Sequence, residues 1–216
     1  MYATTIIPNI EKQLQLPLPG KKAQYKLATS NRMPYKKAPV PKDVRLASVL
    51  CLLYPKGDEL FLPLIQRAVA KNDKHSGQMS FPGGKLEETD RTKADGALRE
   101  ANEEIGIRPE DVTILGELTP LYVPASNFQV FPFVGFLNYV PTFVPQESEV
   151  AEIVEVSLKE LTDPQTLKYK NMKFQDVYTV KDVPYFDVNE KTVWGATGMM
   201  LSELVEIVNQ VNNSTK

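Results

Sequence analysis

The strongest constraint in this chain is a cluster of carboxylates on one helix, set a few residues behind a glycine pair. Residues 92–105 have helical spacing, and Gly106 is placed to stop the helix. At about 100° per residue, Glu100, Glu103 and Glu104 share one narrow arc. Ala94, Ala97, Leu98, Ala101 and Ile105 form the apolar stripe beside it. Like charges at i, i+3 and i+4 repel and weaken a helix. Arg99 and Lys93 offset only part of that repulsion. A solvated acidic face is one reading. A hard divalent cation, Mg²⁺ or Mn²⁺, is the other, with phosphate oxygens and water completing its shell. The context favours the metal, because Gly83 and Gly84 precede the helix and let backbone approach a ligand closely.

The rest of the pattern is that of a mixed α/β domain. Residues 46–54 are almost continuously apolar and read as a buried strand. Pro55-Lys56-Gly57-Asp58 is a turn, and residues 60–66 are the returning strand. Residues 72–78 form a polar loop ahead of Phe81-Pro82-Gly83-Gly84, which suits neither a helix nor a regular strand interior. Strands are expected at 112–118, 130–137 and 152–157, with strand pieces at 177–180 and 185–188. A short helix at 158–161 is broken by Asp163-Pro164. A final amphipathic helix runs over 197–211. Strands on either side of one helix, with another at the end, predict a mixed β-sheet sandwiched between helices (α/β/α). Residues 1–43 differ: six prolines and scattered lysines suggest a short helix near 10–16 and then an extended arm. The arm could pack on its own domain or on a second subunit, so a homodimer is one expectation. Residues 44–212 form the expected domain.

Composition excludes some functions. The formal net charge of -2 provides no broad basic field for a nucleic-acid backbone. An anionic substrate would therefore need a local charge such as a metal. The single cysteine, Cys51, allows no intramolecular disulfide and reads as a small core residue. No apolar run approaches the roughly 20 residues of a membrane span. With neither a secretory signal nor a lipidation motif, the cytoplasm is the expected location.

The segment Gly84-x5-Asp90-x8-Arg99-Glu100-Ala101-Asn102-Glu103-Glu104-Ile105-Gly106-Ile107 resembles the Nudix box. Its second half matches throughout. Its first half has aspartate for glutamate and one extra spacer residue. That variation, with Phe81-Pro82-Gly83-Gly84-Lys85 in front, resembles the coenzyme A pyrophosphatase branch of the superfamily. So do Leu64-Ile65-Gln66-Arg67-Ala68, the 75–84 segment, the 122–128 segment and Val193-Trp194-Gly195-Ala196-Thr197. The resemblance spans about residues 44–205.

It implies a Nudix fold and hydrolysis of coenzyme A, or an acyl derivative, to 3′,5′-ADP and 4′-phosphopantetheine. Alternatives are a Nudix hydrolase for another nucleoside diphosphate derivative, such as ADP-ribose or NADH, and a non-catalytic nucleotide-binding module. The resemblance also implies that Glu100 and Glu104 hold metal, with Glu103 as a third ligand or a base. Arg99 would orient the carboxylates, and Asp90 would cap the helix or pair with Arg99, with capping the favoured role. Glu103, Glu147, Glu149 and Glu152 are base candidates, and Glu149 stands with Glu103 and Arg99 in the expected catalytic set. Arg67, His75, Gln78, Gly83 and Gly84 are expected at the substrate. Lys71 or Lys74 stands in for a second basic residue of the upstream segment. Tyr122 and Phe128 are candidates to stack on adenine, whereas Trp194 reads as a core residue.

Overall fold

Residues 46–54 are apolar at successive positions because the strand they form is covered on both faces. The computed structural model describes residues 6–36, 39–69, 75–174 and 178–214. Its central strand, β1 (Arg45–Lys56), sends Leu50, Leu52 and Tyr54 to one core cluster and Val49, Cys51 and Leu53 to another. This is the period of two expected for a pleated strand. β1 turns at Gly57 (φ 65°) into β2 (Glu59–Arg67), with Lys56 opposite Glu59. β3 (Met79–Ser80) pairs with the far end of β2. β4 (Gly83–Lys85) pairs with the first half of β1.

The next helix, α3 (Lys93–Ile105), lies on one face of the sheet and buries Ala97, Ala101 and Ile105 against Leu50, Leu52 and Phe131. After it come β5 (Thr113–Glu117), β6 (Leu121–Val123) and β7 (Phe128–Phe136). β7 runs parallel to β1 from Arg45↔Phe128 to Leu53↔Phe136, while β5 and β6 pair antiparallel with β7. β8 (Val150–Ser157) pairs antiparallel with β2. The order β3-β2-β1-β7-β5, with β4, β6 and β8 attached, makes a mixed sheet.

The opposite face is covered by α5 (Gly195–Ser214), which buries Met199, Met200, Leu201, Leu204, Ile207, Val208 and Val211. Between β8 and α5 lie α4 (Leu158–Thr162) and a three-stranded antiparallel sheet of β9 (Leu167–Phe174), β10 (Tyr178–Val188) and β11 (Lys191–Val193). The strand pieces expected near 180 and 185 are one strand, with a register shift between Val180 and Val183. β9 was not expected. Lys168, Lys170 and Lys173 erase any apolar alternation, and an edge strand tolerates them because it is solvated.

The N-terminal segment also differs from expectation. The expected short helix is present as α1 (Ile7–Leu14), but in place of an extended arm follow α2 (Lys21–Gln24) and two 3₁₀ turns, Tyr25–Leu27 and Ser30–Lys36. Pro8 sits in the first turn of α1, where its missing N–H costs nothing. Ile7, Ile10, Leu14, Tyr25 and Leu27 join the core beneath α5. A buried carboxylate ties these pieces together. Glu203 of α5 accepts hydrogen bonds from the Gly20 N–H (2.9 Å), Gln24 Nε2 (2.9 Å), the Thr119 N–H (3.1 Å) and Thr119 Oγ1 (2.7 Å). Four donors offset its desolvation. Among the described residues, no helix is long and apolar enough to cross a membrane.

Because Ile10 is fully buried, Ile10→Ala should lower the free energy of unfolding by about 3 kcal/mol in urea titrations. A loss below about 0.5 kcal/mol would mean that α1 does not share the core's cooperative unfolding.

Candidate metal and phosphate site

The acidic helix is held rigidly at both ends. Thr92 Oγ1 accepts the Asp95 N–H at 3.1 Å, and the Asp95 carboxylate accepts the Thr92 N–H at 2.9 Å, a reciprocal capping box. Gly106, at φ 73°, closes the C-terminus in the left-handed conformation. The apolar stripe seats the helix on the sheet and turns the acidic arc toward β4.

Of the two roles expected for Asp90, the favoured one, capping, is not taken, and the other, pairing with Arg99, is. Its carboxylate accepts from Arg99 Nε (3.0 Å) and Nη2 (3.2 Å), and from the Glu87 N–H (2.8 Å). A bidentate charged pair is stronger than a single neutral cap, and Thr92 is better placed for capping. Arg99 holds the Asp90 carboxyl below the usual carboxylate range, and Asp90 in turn raises the guanidinium. Arg99 Nη1 also donates to Glu100 (3.1 Å) and Glu103 (3.0 Å), and Nη2 donates to the Lys85 carbonyl (3.2 Å). One side chain thus joins the glycine loop to two of the helix carboxylates.

Glu104 is 2 % exposed and accepts the Gly83 N–H at 2.8 Å. Burial, together with the neighbouring Glu100 and Glu149 carboxylates, pushes its pKa up to about 8, against the hydrogen bond from Gly83 and the charge of Arg67. Arg67 Nη1 lies 4.0 Å from Glu104 Oε1. Glu100 is also raised, first by burial and then by Glu103 and Glu149, with Arg99 opposing. The glycines make this approach possible. A Cβ at Gly84 would sit 2.5 Å from Glu100 Oε1, and one at Gly83 would strike the backbone of β1. Gly96, not singled out from the sequence, serves similarly: a Cβ there would lie 2.9 Å from Asp90 Oδ2.

The remaining expected residues divide. Glu149 is close enough to raise both Glu100 and Glu104. Glu103 is more open, with its side chain 56 % exposed against Arg99. Glu152 is on the other face of the sheet, in line with Val154 and Val156, and binds Lys191 at 2.5 Å. Glu147 is exposed. His75 and Gln78 contact each other (3.4 Å) in the turn ahead of β3. Lys71 and Lys74 lie outside the described residues. Phe128 has the Arg45 guanidinium 4.1 Å above its ring, and the Tyr122 hydroxyl donates to Asn127 (3.1 Å). Trp194 is half-buried, not a core residue, because it immediately precedes α5 at the surface.

Among the described residues, no three His, Cys, Asp or Glu side chains already form a closed metal cage. The donor set nonetheless fits a hard divalent cation. Two carboxylates one helical turn apart lose water together, and Glu149 adds to the repulsion. A cation between them would keep them ionised.

In metal-free protein Glu104 keeps its proton to about pH 8, whereas the unfolded chain loses it near the ordinary glutamate value of 4.5. Stability should therefore fall as pH rises between those values. With chelator present, the Tm advantage of Glu104→Gln over the parent should be small near pH 5 and grow toward pH 8.5. An advantage independent of pH would contradict the shift.

Comparison with known proteins adds independent findings. A family model described as the NUDIX domain matches residues 44–178. The uncharacterized Nudix hydrolase NudL of Pectobacterium atrosepticum is 38 % identical over 141 residues, covering 65 % of this chain and 72 % of that protein. NudL of Photorhabdus laumondii is 30 % identical over 196 residues, covering 91 % and 93 %. A Mus musculus protein named peroxisomal coenzyme A diphosphatase NUDT7 is 36 % identical over 125 residues, covering 58 % of this chain and 52 % of that protein. Among solved structures, a MutT/nudix family protein from Enterococcus faecalis shares the fold, with a TM-score of 0.50 at 17 % identity over 89 % of this chain and 73 % of that one.

Proposed function

We propose, on the premise that this chain belongs to the Nudix family of pyrophosphohydrolases, that it hydrolyses coenzyme A or an acyl derivative. The products are 3′,5′-ADP and 4′-phosphopantetheine or its acyl form. The observation that carries this reading is a convergence on β3. Arg67, the Phe81–Gly84 turn and Thr197 come from three segments that resemble the coenzyme A branch. The Arg67 N–H donates to the Gln78 carbonyl at 3.0 Å, next to β3, and Arg67 reaches Glu104. Thr197 Oγ1 donates to the Met79 carbonyl at 3.0 Å, and the turn delivers the Gly83 N–H to Glu104. The mouse relative named as a coenzyme A diphosphatase supports the same substrate class.

In this reading Glu100 and Glu104 hold Mg²⁺ or Mn²⁺, with Glu103 or Glu149 beside them. When bound, the cation polarises a phosphoryl oxygen and offsets charge on the departing phosphate. Water attacks one phosphorus, the P–O–P bond breaks, and a nearby carboxylate takes the water's proton. Glu149 is the favoured acceptor, since it is electrostatically coupled to both Glu100 and Glu104. Arg99 orients Glu100 and Glu103. Arg67, beside Glu104, serves the pyrophosphate.

Incubation with coenzyme A, ADP-ribose or NADH and Mg²⁺ or Mn²⁺, read by mass spectrometry, should give 3′,5′-ADP and 4′-phosphopantetheine faster than any other product pair. Cleavage of ADP-ribose or NADH alone would remove coenzyme A as the substrate. Glu149→Gln should lower kcat by about a hundredfold. Glu152→Gln, on the opposite sheet face, should stay within about threefold of the parent. If no glutamine variant of Glu103, Glu147, Glu149 or Glu152 loses more than tenfold, none of them is the base. Arg67→Ala should lower kcat/KM for coenzyme A and for dephospho-coenzyme A by the same factor. A loss confined to coenzyme A would move Arg67 to the 3′-phosphate.

A further inference from the structure

The Val193–Thr197 segment stands outside the family match at 44–178, yet it reaches the strand that leads into the glycine turn. Thr197 lies in the first turn of α5 and is 7 % exposed; Met79 is 6 % exposed. The Thr197 hydroxyl donates to the Met79 carbonyl across 118 positions of sequence. β3 is only two residues long and pairs with β2 at Ile65↔Ser80 and Gln66↔Met79. So short a ladder gives the following turn little purchase.

Beyond β3, Phe81 is buried, and the Pro82 carbonyl accepts the Leu50 N–H at 2.8 Å. The next residue, Gly83, donates its N–H to Glu104. The backbone from Met79 to Gly83 is thus pinned at one end by α5, in the middle by β1 and at the other end on a buried carboxylate. Of these pins, Thr197 is supplied by the helix on the far face of the sheet from α3.

We infer that Thr197 is a positioning residue: its hydroxyl, by holding the Met79 carbonyl, sets the place of the Gly83 amide and through it the orientation of Glu104. The catalytic consequence rests on the metal-dependent reading above, but the positioning does not. A carboxylate turned away from its bound geometry loses metal affinity and rate together. Threonine provides both a hydroxyl and a methyl group, so valine and serine separate the two contributions.

The test compares Thr197→Val and Thr197→Ser with the parent by amide hydrogen exchange, Mn²⁺ binding and kcat. Thr197→Val should speed exchange of the Gly83 amide roughly tenfold, the order expected for one buried hydrogen bond, and leave the β1·β7 ladder unchanged. Mn²⁺ affinity and kcat should each fall by a similar factor. Thr197→Ser, which keeps the hydroxyl, should restore all three. Unchanged Gly83 exchange in Thr197→Val would overturn the inference, as would equal acceleration in Thr197→Ser, which would place the effect in methyl packing. Should Thr197→Val fail to fold, Thr197→Ser against Thr197→Ala makes the same comparison. If the parent hydrolyses no dinucleotide, the coenzyme A reading falls, while Gly83 exchange still decides the role of Thr197.

Discussion

Arg99 is the interaction on which the rest of the site depends. The chain places Asp90, Glu100 and Glu103 within hydrogen-bond reach of one guanidinium. Without a cation among them, carboxylates on one helical arc would push the helix from the glycine loop. A planar guanidinium offers fixed, divergent donors and can serve acids on two elements at once, which a lysine ammonium does less well. Its fork on Asp90 anchors the loop, leaving Nη1 for the helix carboxylates. The loop, the helix and the orientation of Glu100 are therefore set by one residue that need not touch a substrate.

Glu104 is not covered by that fork. It is buried against the sheet, held by a backbone N–H and approached by Arg67 only at the limit of an ion pair. Burial raises its affinity for a proton. The fold thus divides its carboxylates into two groups. Asp90 is compensated by Arg99, held below the usual carboxylate range, and orients the fork. Glu100 and Glu104 are raised in spite of Arg99 and Arg67, and are left under-compensated where a metal and a phosphate would complete the balance.

The elements flanking the central domain support this division from a distance. Among the buried polar side chains of α5, two hold distant segments. Glu203 gathers the N-terminal segment and the loop after β5, and Thr197 reaches β3. Neither belongs to the acidic helix. Both lie on a helix whose buried face is mostly apolar, and buried hydrogen bonds of this kind specify one arrangement where apolar contact alone would allow several. The N-terminal helices become part of the same core by covering α5.

The sequence by itself determined the helix, its stop at Gly106, the shared arc of Glu100, Glu103 and Glu104, and the doubly buried strand around Leu50. These follow from local periodicity and from glycine chemistry, which act over a few residues. It left open whether Asp90 would cap the helix or bind Arg99, because that choice compares two partners whose distances are set by the loop. Nor did it separate Glu149 from Glu152. They stand three positions apart in sequence, but Glu149 lies in the turn just before β8, beside Glu100 and Glu104, whereas Glu152 sits inside β8 in line with Val154 and Val156 on the other face. β9 was hidden by lysines that only an edge position makes acceptable. The contact between Thr197 and Met79 spans most of the chain, and only the packing of α5 across the sheet could bring that hydroxyl to the strand ahead of the glycines.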